Sequence, residues 1–437
     1  MRRARQPWRH EVRKPYRKYR TTILAMLMAA MIINYIDRAA LSIAMPFITR
    51  DFHLTAGEKG LIFSAFSVGY ALFNFLGGYF SDRFGGKRVL SVSMTFWSIA
   101  CGLTAAVSGF WSMLLVRIAF GAGEGPNSAT ANKVVNTWYP IGERASAAGV
   151  NQAGGPIGGA LAGPVIGFLA LSFGWRAAFI VMAGLGLTWA FLWHRLATET
   201  PAQHPMVSAA ELADIDAGQE PVTAATGKRV SILDVITTRA VLTTGISLFC
   251  YNYILFFFIT WFPSYLVDAK GISLKDMSLV SSLPWITGAL GFLSGGFLVD
   301  AIFRRTGRQM FSRKVVLVTS LLISAVCIGL TGLVDAVATA VTVMTIAIGF
   351  LMLAAPAYWA IIQDSVPRHQ VGTASGFMHG LANVSGIVGP AATGFLIQGT
   401  GSYVSAFALA GALGLVGSLI LAIFVGRPGA APKTSLA

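Results

Sequence analysis

Charged residues are scarce in this chain: Asp, Glu, Lys and Arg make up 12% of its 437 residues, about half of the share in a typical soluble domain. Hydrophobic residues make up 55% of the chain, and its mean hydropathy is +0.66. This composition excludes an ordinary soluble enzyme and indicates an integral membrane protein. The apolar runs are continuous rather than alternating, which favours helices over barrel strands. At roughly 20 residues per span, the chain accommodates about twelve transmembrane helices.

Cysteines and catalytic motifs are also sparse. The three cysteines, Cys101, Cys250 and Cys327, are scattered through apolar runs without metal-ligand spacing, so we expect no metal site and no disulfide framework. The sequence has no phosphate-binding P-loop, no HExxH motif and no Cys/His cluster. We therefore expect neither an enzyme nor a cofactor. Any work that this membrane protein performs must draw its energy from an ion gradient rather than from ATP. Protons are favoured over sodium because titratable carboxyls lie in the spans, whereas several convergent oxygens for sodium are not evident.

The formal net charge of +15 is unevenly distributed. Nine of the 33 basic residues lie within the first 20 positions, and nine more lie in the alternate loops at 82–88, 136–144 and 302–314. This is the positive-inside pattern, which places both termini and the central stretch in the cytoplasm of a multi-pass inner (plasma) membrane protein. Basic segments of this kind attract anionic lipid headgroups. Membrane lipids, rather than nucleic acid, are therefore the expected surroundings.

The order of the apolar runs predicts an all-α membrane protein with twelve transmembrane helices in two six-helix, pseudo-symmetric halves. A basic cytoplasmic N-terminus, a first bundle, a cytoplasmic linker, a second bundle and a cytoplasmic tail are expected over residues 1–20, 21–195, 196–237, 238–426 and 427–437. Within the linker, SAAELADIDAG at 208–218 is expected to form a short surface helix.

An internal repeat supports the two halves. GGYFSDRFGGKR at 77–88 follows the second run, and GGFLVDAIFRRTGR at 295–308 follows the eighth. The fifth run, at 147–169, likewise resembles the eleventh, at 374–396. Two parallel repeats place their shared site near the bilayer midplane.

We expect the chain to act as a monomer.

These motifs resemble the major facilitator superfamily over nearly the whole chain. The motif that carries the resemblance is GYFSDRFGGKR at 78–88, with a degenerate copy from Gly296 through Asp300 to Arg308. Within the superfamily the chain is similar to the anion:cation symporter family, and most similar to bacterial carriers of aldonates, aldarates and hexuronates. The matching segments are NYIDRAALSIAMPFI (34–48), RIAFGAGEGP (117–126), NTWYPIGERASAAG (136–149), FGWRAAF (173–179) and TWFPSYLVDAKGIS (260–273).

Four charged residues in the spans are the main site candidates. A charge at the bilayer centre costs roughly 2.5–3.5 kcal/mol on insertion scales and usually serves a function. Asp37 and Arg38 point about 100° apart on a helix, so Arg38 is a candidate for gripping a carboxylate and Asp37 for carrying a proton. The alternative is a buried ion pair that only fixes helix packing. Arg117 and Glu124 lie two turns apart; the resemblance implies that Glu124 is a proton-coupling site with which Arg117 alternately pairs, and a static pair is the alternative.

The predicted substrate site comprises Arg38, Arg117 and the polar and aromatic side chains near mid-span: Tyr35, Tyr70, Asn74, Asn151, Gln152, Trp359, His379 and Asn383. The resemblance implies that the two tyrosines border the substrate. Family members commonly have Asn where His379 stands, so His379 either joins the proton path, reads a different substrate or only packs. The resemblance also implies gating, rather than binding, for residues at the cytoplasmic mouth: Asp82, Arg83, Arg88, Arg144 and Asp300.

The predicted function is proton-coupled import of a small organic anion, with a sugar acid (aldonate, aldarate or hexuronate) as the leading substrate. The anion and protons are the expected partners. Three alternatives remain open: a carrier of an aromatic or dicarboxylic acid, an anion exchanger or exporter, and a membrane sensor that binds without transporting.

Overall fold

The structure is a computed structural model that describes residues 19–140, 143–216, 237–366 and 371–424. Most of the predicted N-terminal segment (1–18), residues 217–236 of the linker and the tail at 427–437 lie outside the described residues. Within the described ranges every regular element is helical, which confirms the all-α prediction.

The described part of the chain forms fifteen α-helices. In chain order they are α1 Arg20–Phe52, α2 Ala56–Phe84, α3 Gly86–Leu103, α4 Phe110–Glu124, α5 Asn127–Trp138, α6 Arg144–Phe173, α7 Trp175–Leu196, α8 Ala209–Asp216, α9 Arg239–Asp268, α10 Leu274–Val280, α11 Leu283–Thr306, α12 Gln309–Thr331, α13 Val337–Ser365, α14 Val371–Thr400 and α15 Tyr403–Phe424.

Most of these helices are long and apolar enough to cross a membrane. Among the described residues there are ten such segments, and α2, which is bent by 41° between Asn74 and Leu76, makes eleven. Helices α4 and α5 are shorter, at 15 and 12 residues. They follow each other across a two-residue break and together match the fourth apolar run of the sequence. The arrangement therefore agrees with the predicted twelve crossings.

The break between α4 and α5 differs from the continuous run expected at 110–135. It falls at Gly125 and Pro126. Proline has no N–H to donate, and its ring clashes with the carbonyl one turn earlier, so it interrupts a helix. The Asn74 side chain donates from Nδ2 to the Gly125 carbonyl oxygen at 3.1 Å. The break makes Glu124 the last residue of α4.

The two predicted halves touch at the end of the bundle remote from the first residues of α1. There α2 lies against α14, and the Ala391 N–H donates to Ser64 Oγ at 3.0 Å. Two glycines allow the close approach: a Cβ on Gly60 would lie 2.5 Å from the Pro390 carbonyl oxygen and 3.2 Å from the Cα of Gly394. A side chain at either glycine would therefore force the two helices apart.

A second contact between the halves lies at the same end, where α6 meets α10 and α11. A Cβ on Gly159 would lie 2.3–2.6 Å from the ring of Trp285, and one on Gly163 would overlap the Ser278 carbonyl oxygen. At the other end, the ion pairs found in the described part of the chain join residues of the first half and the linker, such as Asp82 with Lys133. The bundle is thus closed at one end by contacts between its halves.

Glu199, which follows α7, caps the N-terminus of α3. Its carboxylate accepts the N–H groups of Lys87 and Arg88 at 2.9 and 3.0 Å. A negative charge at this position satisfies unpaired backbone donors and interacts favourably with the helix dipole. The chain turns into α3 at Gly85, where φ is +90°, a conformation that favours glycine.

The linker is docked on the start of α1. The expected short helix forms as α8, but it is not a freely exposed surface helix, since Glu211 and Ile215 are buried. The Glu211 carboxylate accepts the N–H groups of Tyr19 and Arg20, both at 2.9 Å. The Arg20 guanidinium, only 1% exposed, lies 2.8 Å from Asp214. Helix α8 therefore supplies the charges that the first turn of α1 needs.

Two further side chains hold this docked arrangement. Burial raises the pKa of Tyr139 to about 12, so its hydroxyl stays protonated and donates to the Arg20 carbonyl oxygen at 2.9 Å. The ring of His204 stacks on Tyr19 at 3.9 Å. Burial lowers the pKa of His204, which favours the neutral ring whose Nδ1 accepts the N–H of Met206.

We expect Glu211→Gln to destabilise the protein more than Glu143→Gln. An amide at position 211 has a single acceptor oxygen for two N–H groups and carries no charge beside Arg20. Loss of a charged hydrogen bond costs about 1.5–3 kcal/mol. Glu143 also pairs with Arg20, but its side chain is 47% exposed, so water can replace it. Thermal unfolding of the purified variants checks this, and equal melting temperatures for the two would contradict it.

Candidate functional site

An ion pair between α1 and α4 forms the centre of the site. Arg38 Nη2 lies 2.6 Å and Nε 3.1 Å from the same oxygen of Glu124, Oε2. The Glu124 side chain is fully buried, whereas that of Arg38 is 14% exposed. In the described part of the chain no hydrogen bond reaches Glu124 Oε1. The pair is therefore not a two-oxygen fork, and both groups retain hydrogen-bonding capacity for another partner.

Three aromatic rings surround the Arg38 guanidinium. Its central carbon lies 5.3 Å from the ring centre of Tyr35, 5.1 Å from that of Phe66 and 4.8 Å from that of Tyr70. The faces of such rings attract a cation. They also allow the guanidinium to leave one carboxylate and bind another without losing all its favourable contacts. Tyr35 and Tyr70, which the family resemblance predicted to border the substrate, thus lie beside Arg38.

Arg117 is not the partner of Glu124 in this structure. It is 3% exposed and lies over the rings of Phe66 and Phe120, at 5.2 and 4.5 Å. No ion pair joins it to a carboxylate of the described residues, and its Nε has no hydrogen-bond partner among them. In this arrangement Glu124 contacts Arg38 rather than Arg117, so the predicted alternating Arg117–Glu124 pair is not formed here. Seven residues along one helix separate that pair by about 10.5 Å, whereas Arg38 reaches Glu124 directly from the neighbouring helix.

Asp37 lies away from Arg38, against α3. It is 1% exposed and accepts hydrogen bonds from Trp97 Nε1 at 3.2 Å and from the Cys101 thiol at 3.7 Å. It remains within electrostatic range of Arg117 and Glu124. The angular separation expected for neighbouring helical residues is confirmed: one of the two charges faces a partner helix, and the other faces the aromatic side chains.

The second half approaches this cluster at His379 on α14. Trp359 on α13 is 40% exposed, and its ring lies 5.8 Å from that of His379 on α14. His379 is within electrostatic range of Arg38. Asn383, one turn beyond His379, is half-buried. His379, with the Trp359 ring beside it, thus brings α14 and α13 of the second half near Arg38 on α1.

The remaining predicted polar residues differ in their surroundings. Asn151 on α6 is 2% exposed, and its Oδ1 has no hydrogen-bond partner among the described residues. Gln152 beside it is exposed. Helix α6 approaches the site closely, since a Cβ on Gly155 would lie 3.1 Å from the Tyr35 ring. Asn74 instead serves the backbone at the α4–α5 break, as described above.

The predicted gating residues lie at the end of the bundle where α1 begins, and they form separate local contacts. Asp82 pairs with Lys133 at 2.8 Å. Arg83 donates a hydrogen bond to the Tyr79 hydroxyl at 2.9 Å. The Arg88 guanidinium lies 3.9 Å from the Glu199 carboxylate. Arg144 donates to the Tyr139 carbonyl oxygen at 3.1 Å. Asp300 is exposed.

An ion pair at the opposite, closed end was missed by sequence reasoning. Lys59 on α2 lies 3.1 Å from Asp268 at the end of α9, and the Tyr403 hydroxyl donates to the same carboxylate oxygen at 3.0 Å. The Lys59 side chain is only 8% exposed and lies over the ring of Trp261. The one sequence signal for this ion pair was a lone lysine at the start of the second apolar run. No spacing rule could link it to a residue 209 positions away.

A helical bundle in two contacting parts, with a buried charge cluster inside the first of them, is the architecture of a multi-pass membrane transporter. The chain belongs to the Major Facilitator Superfamily, whose family model matches residues 27–312 and 306–437. The named relatives are transporters rather than enzymes, as the sequence predicted.

Three comparisons describe its relatives. The chain is 48% identical to the hexuronate transporter of Bacillus subtilis over 415 residues, which cover 94% of this chain and 96% of that protein. It is 30% identical to a D-galactonate transporter of Escherichia coli over 419 residues, covering 92% and 96%. Among solved structures, a bacterial homolog of the human lysosomal transporter Spinster, inward-facing and unoccupied, matches with a TM-score of 0.74. That match covers 95% of this chain and 100% of the other at 18% identity, and shows the fold alone.

Proposed function

We propose that this transporter takes up a sugar acid together with protons, and that a hexuronate is its preferred substrate. The name of the 48% identical Bacillus relative supports the substrate. A hexuronate combines one carboxylate with several hydroxyls. Arg38 suits the carboxylate, and the hydroxyls of Tyr35 and Tyr70 beside it suit the sugar.

The observation that carries the proposal is the Arg38–Glu124 ion pair. With Asp37 and Arg117, it forms a buried group of two cations and two anions whose formal charges cancel. An added carboxylate leaves this region with an uncompensated negative charge, which is strongly unfavourable in a low-dielectric environment. One proton taken up by Glu124 or Asp37 restores neutrality. Anion binding and proton uptake are therefore linked by electrostatics.

The proposed cycle uses the exchange of partners at Arg38. Protonation of Glu124 removes the charge that holds Arg38, and the guanidinium then binds the substrate carboxylate. The free hydrogen-bonding capacity of Arg117 is available to the same anion or to deprotonated Glu124. Loss of the proton after the halves have moved restores the Arg38–Glu124 pair and releases the substrate.

The direction of uptake follows from the proposed orientation. The basic residues at the start of the chain place the termini in the cytoplasm by the positive-inside rule. The end closed by Gly60, Gly394 and Lys59–Asp268 then faces outward. Under this orientation the arrangement is the inward-open state, in which substrate leaves and the Arg38–Glu124 pair re-forms.

Uptake by proteoliposomes tests the proposal. We expect radiolabelled glucuronate or galacturonate to accumulate when the lumen is more alkaline than the medium, and accumulation to disappear when an ionophore collapses the pH gradient. Unlabelled hexuronate should compete better than galactonate, a dicarboxylic sugar acid or an aromatic acid. Accumulation that persists without a proton gradient and needs an internal anion would identify an exchanger instead. Hexuronate binding with no flux would identify a sensor.

A further inference from the structure

The surface of the first half has an apolar groove outside the site described above. It lies between α2, α3 and the α4–α5 break and encloses about 550 Å³, within the usual range of ligand pockets. The aromatic rings of Phe73, Phe80, Phe84 and Phe96 line it, together with Val92. Phe84, Phe96 and Val92 are 49%, 49% and 69% exposed. In a membrane-spanning bundle such exposed apolar side chains face lipid.

The break between α4 and α5 forms the floor of this groove. Gly123 and Pro126 line it and contribute no long side chain, so the groove reaches the backbone beside the last turn of α4. Ser93 is the only hydroxyl among the lining residues, and it donates to the Gly123 carbonyl oxygen. The groove therefore offers almost no hydrogen-bonding group to a polar ligand or peptide.

One charged residue lies on the groove. Arg88, at the start of α3, is the charged member of the lining, and its side chain is 76% exposed. Its nearest carboxylate, Glu199, is 3.9 Å away and already accepts two backbone N–H groups. Arg83 also lies near this end, over the ring of Phe84. Asp82, the acidic residue in the last turn of α2, is paired with Lys133.

We propose that this groove binds a membrane phospholipid with an anionic headgroup. An acyl chain occupies the aromatic channel, and the headgroup phosphate pairs with Arg88. A hydrocarbon chain suits walls that offer no polar partner, and an anion suits the cation on the rim. A basic side chain near a membrane surface contributes about 1 kcal/mol toward binding anionic lipid, which corresponds to about fivefold.

This site lies beside the residues that precede Glu124 in α4. A bound acyl chain contacts Gly123 and Pro126, which flank Glu124 and Gly125 in the chain. The lipid thus fills the outer side of the same helix break that positions the buried carboxylate. The inference stands on the groove and its charge and does not require the proposed substrate or the proposed proton coupling.

Native mass spectrometry of the delipidated full chain tests the proposal. The protein is mixed with equal amounts of dioleoyl phosphatidylglycerol and dioleoyl phosphatidylcholine, and bound lipids are counted. We expect one tightly held phosphatidylglycerol, favoured about fivefold over phosphatidylcholine. Val92→Trp should displace the lipid by filling the channel. Arg88→Gln should keep one bound lipid but remove the headgroup preference.

Matched variants separate the groove from general surface effects. Val326→Trp makes the same change at a 46% exposed position on α12, and Arg304→Gln removes a cation in the last turn of α11. Both should bind phosphatidylglycerol as the parent does. Equal binding of the two lipids by the parent would overturn the proposal. So would a Val92→Trp protein that holds phosphatidylglycerol as tightly as Val326→Trp.

Discussion

Glu124→Gln should abolish proton-driven accumulation of substrate while retaining substrate binding and exchange. A glutamine cannot take up a proton, and it resembles the protonated acid in charge and shape. Arg38 then loses its buried anionic partner at 2.6 Å and is free for the substrate carboxylate. One pH unit corresponds to 1.36 kcal/mol per proton, so the parent should reach about tenfold accumulation per coupled proton and the variant about onefold.

Three measurements make this result specific. Accumulation is followed under an imposed pH gradient, exchange by counterflow without a gradient, and binding by the substrate-dependent rise in melting temperature. Asp335→Asn removes an exposed carboxyl in the loop between α12 and α13 and should behave as the parent in all three. A Glu124→Gln protein that no longer binds substrate would indicate a collapsed site rather than lost coupling.

Asp37→Asn, measured in parallel, separates the roles of the two carboxyls. Asp37 contacts Trp97 and Cys101 rather than Arg38, so its loss should impair accumulation without freeing Arg38. Substrate binding should therefore tighten in Glu124→Gln but not in Asp37→Asn. Normal accumulation by both variants would refute proton coupling through these residues.

The sequence predicted those parts of the molecule that depend on local composition. Continuous apolar runs identified the spans, and charges within them identified Asp37, Arg38, Arg117 and Glu124 as candidates. The contacts among these residues could not be predicted in the same way. Arg38 and Glu124 are 86 positions apart on different helices, and helical periodicity relates only residues of one helix.

Breaks and docking contacts were harder to predict than spans. Gly125 and Pro126 do carry a recognisable helix-breaking signal, yet they lie inside an apolar run that reads as continuous. The burial of Glu211 against Tyr19 and Arg20 depends on where the linker folds back, 191 or more positions along the chain. Nothing in a short acidic helix distinguishes a docked carboxylate from a solvated one.

Gly394→Val is expected to stop transport by preventing closure at the end where the halves touch. A Cβ at this position would overlap the Ala56 carbonyl oxygen and lie 3.1 Å from both Gly60 Cα and the Trp261 ring. Overpacking of a tight contact costs about 1–3 kcal/mol, which shifts an equilibrium between two states by about 5–150-fold. The carrier should then remain open at this end, and substrate loaded from that side should bind without being transferred.

The same helix provides the control. Gly399 also lies in α14, but a Cβ there would meet no atom within 4 Å, so Gly399→Val makes the same chemical change without the clash. A Ser281→Cys reporter, 7% exposed at the closed contact, should react quickly with a water-soluble maleimide in the Gly394→Val background and slowly beside Gly399→Val. Fast transport by Gly394→Val, or equal labelling in both backgrounds, would show that the carrier does not need this backbone contact to close. Because the clash prevents movement of the halves, Gly394→Val should lose exchange as well as accumulation. Glu124→Gln leaves that contact intact and should lose accumulation alone. The two variants therefore separate movement of the halves from proton coupling.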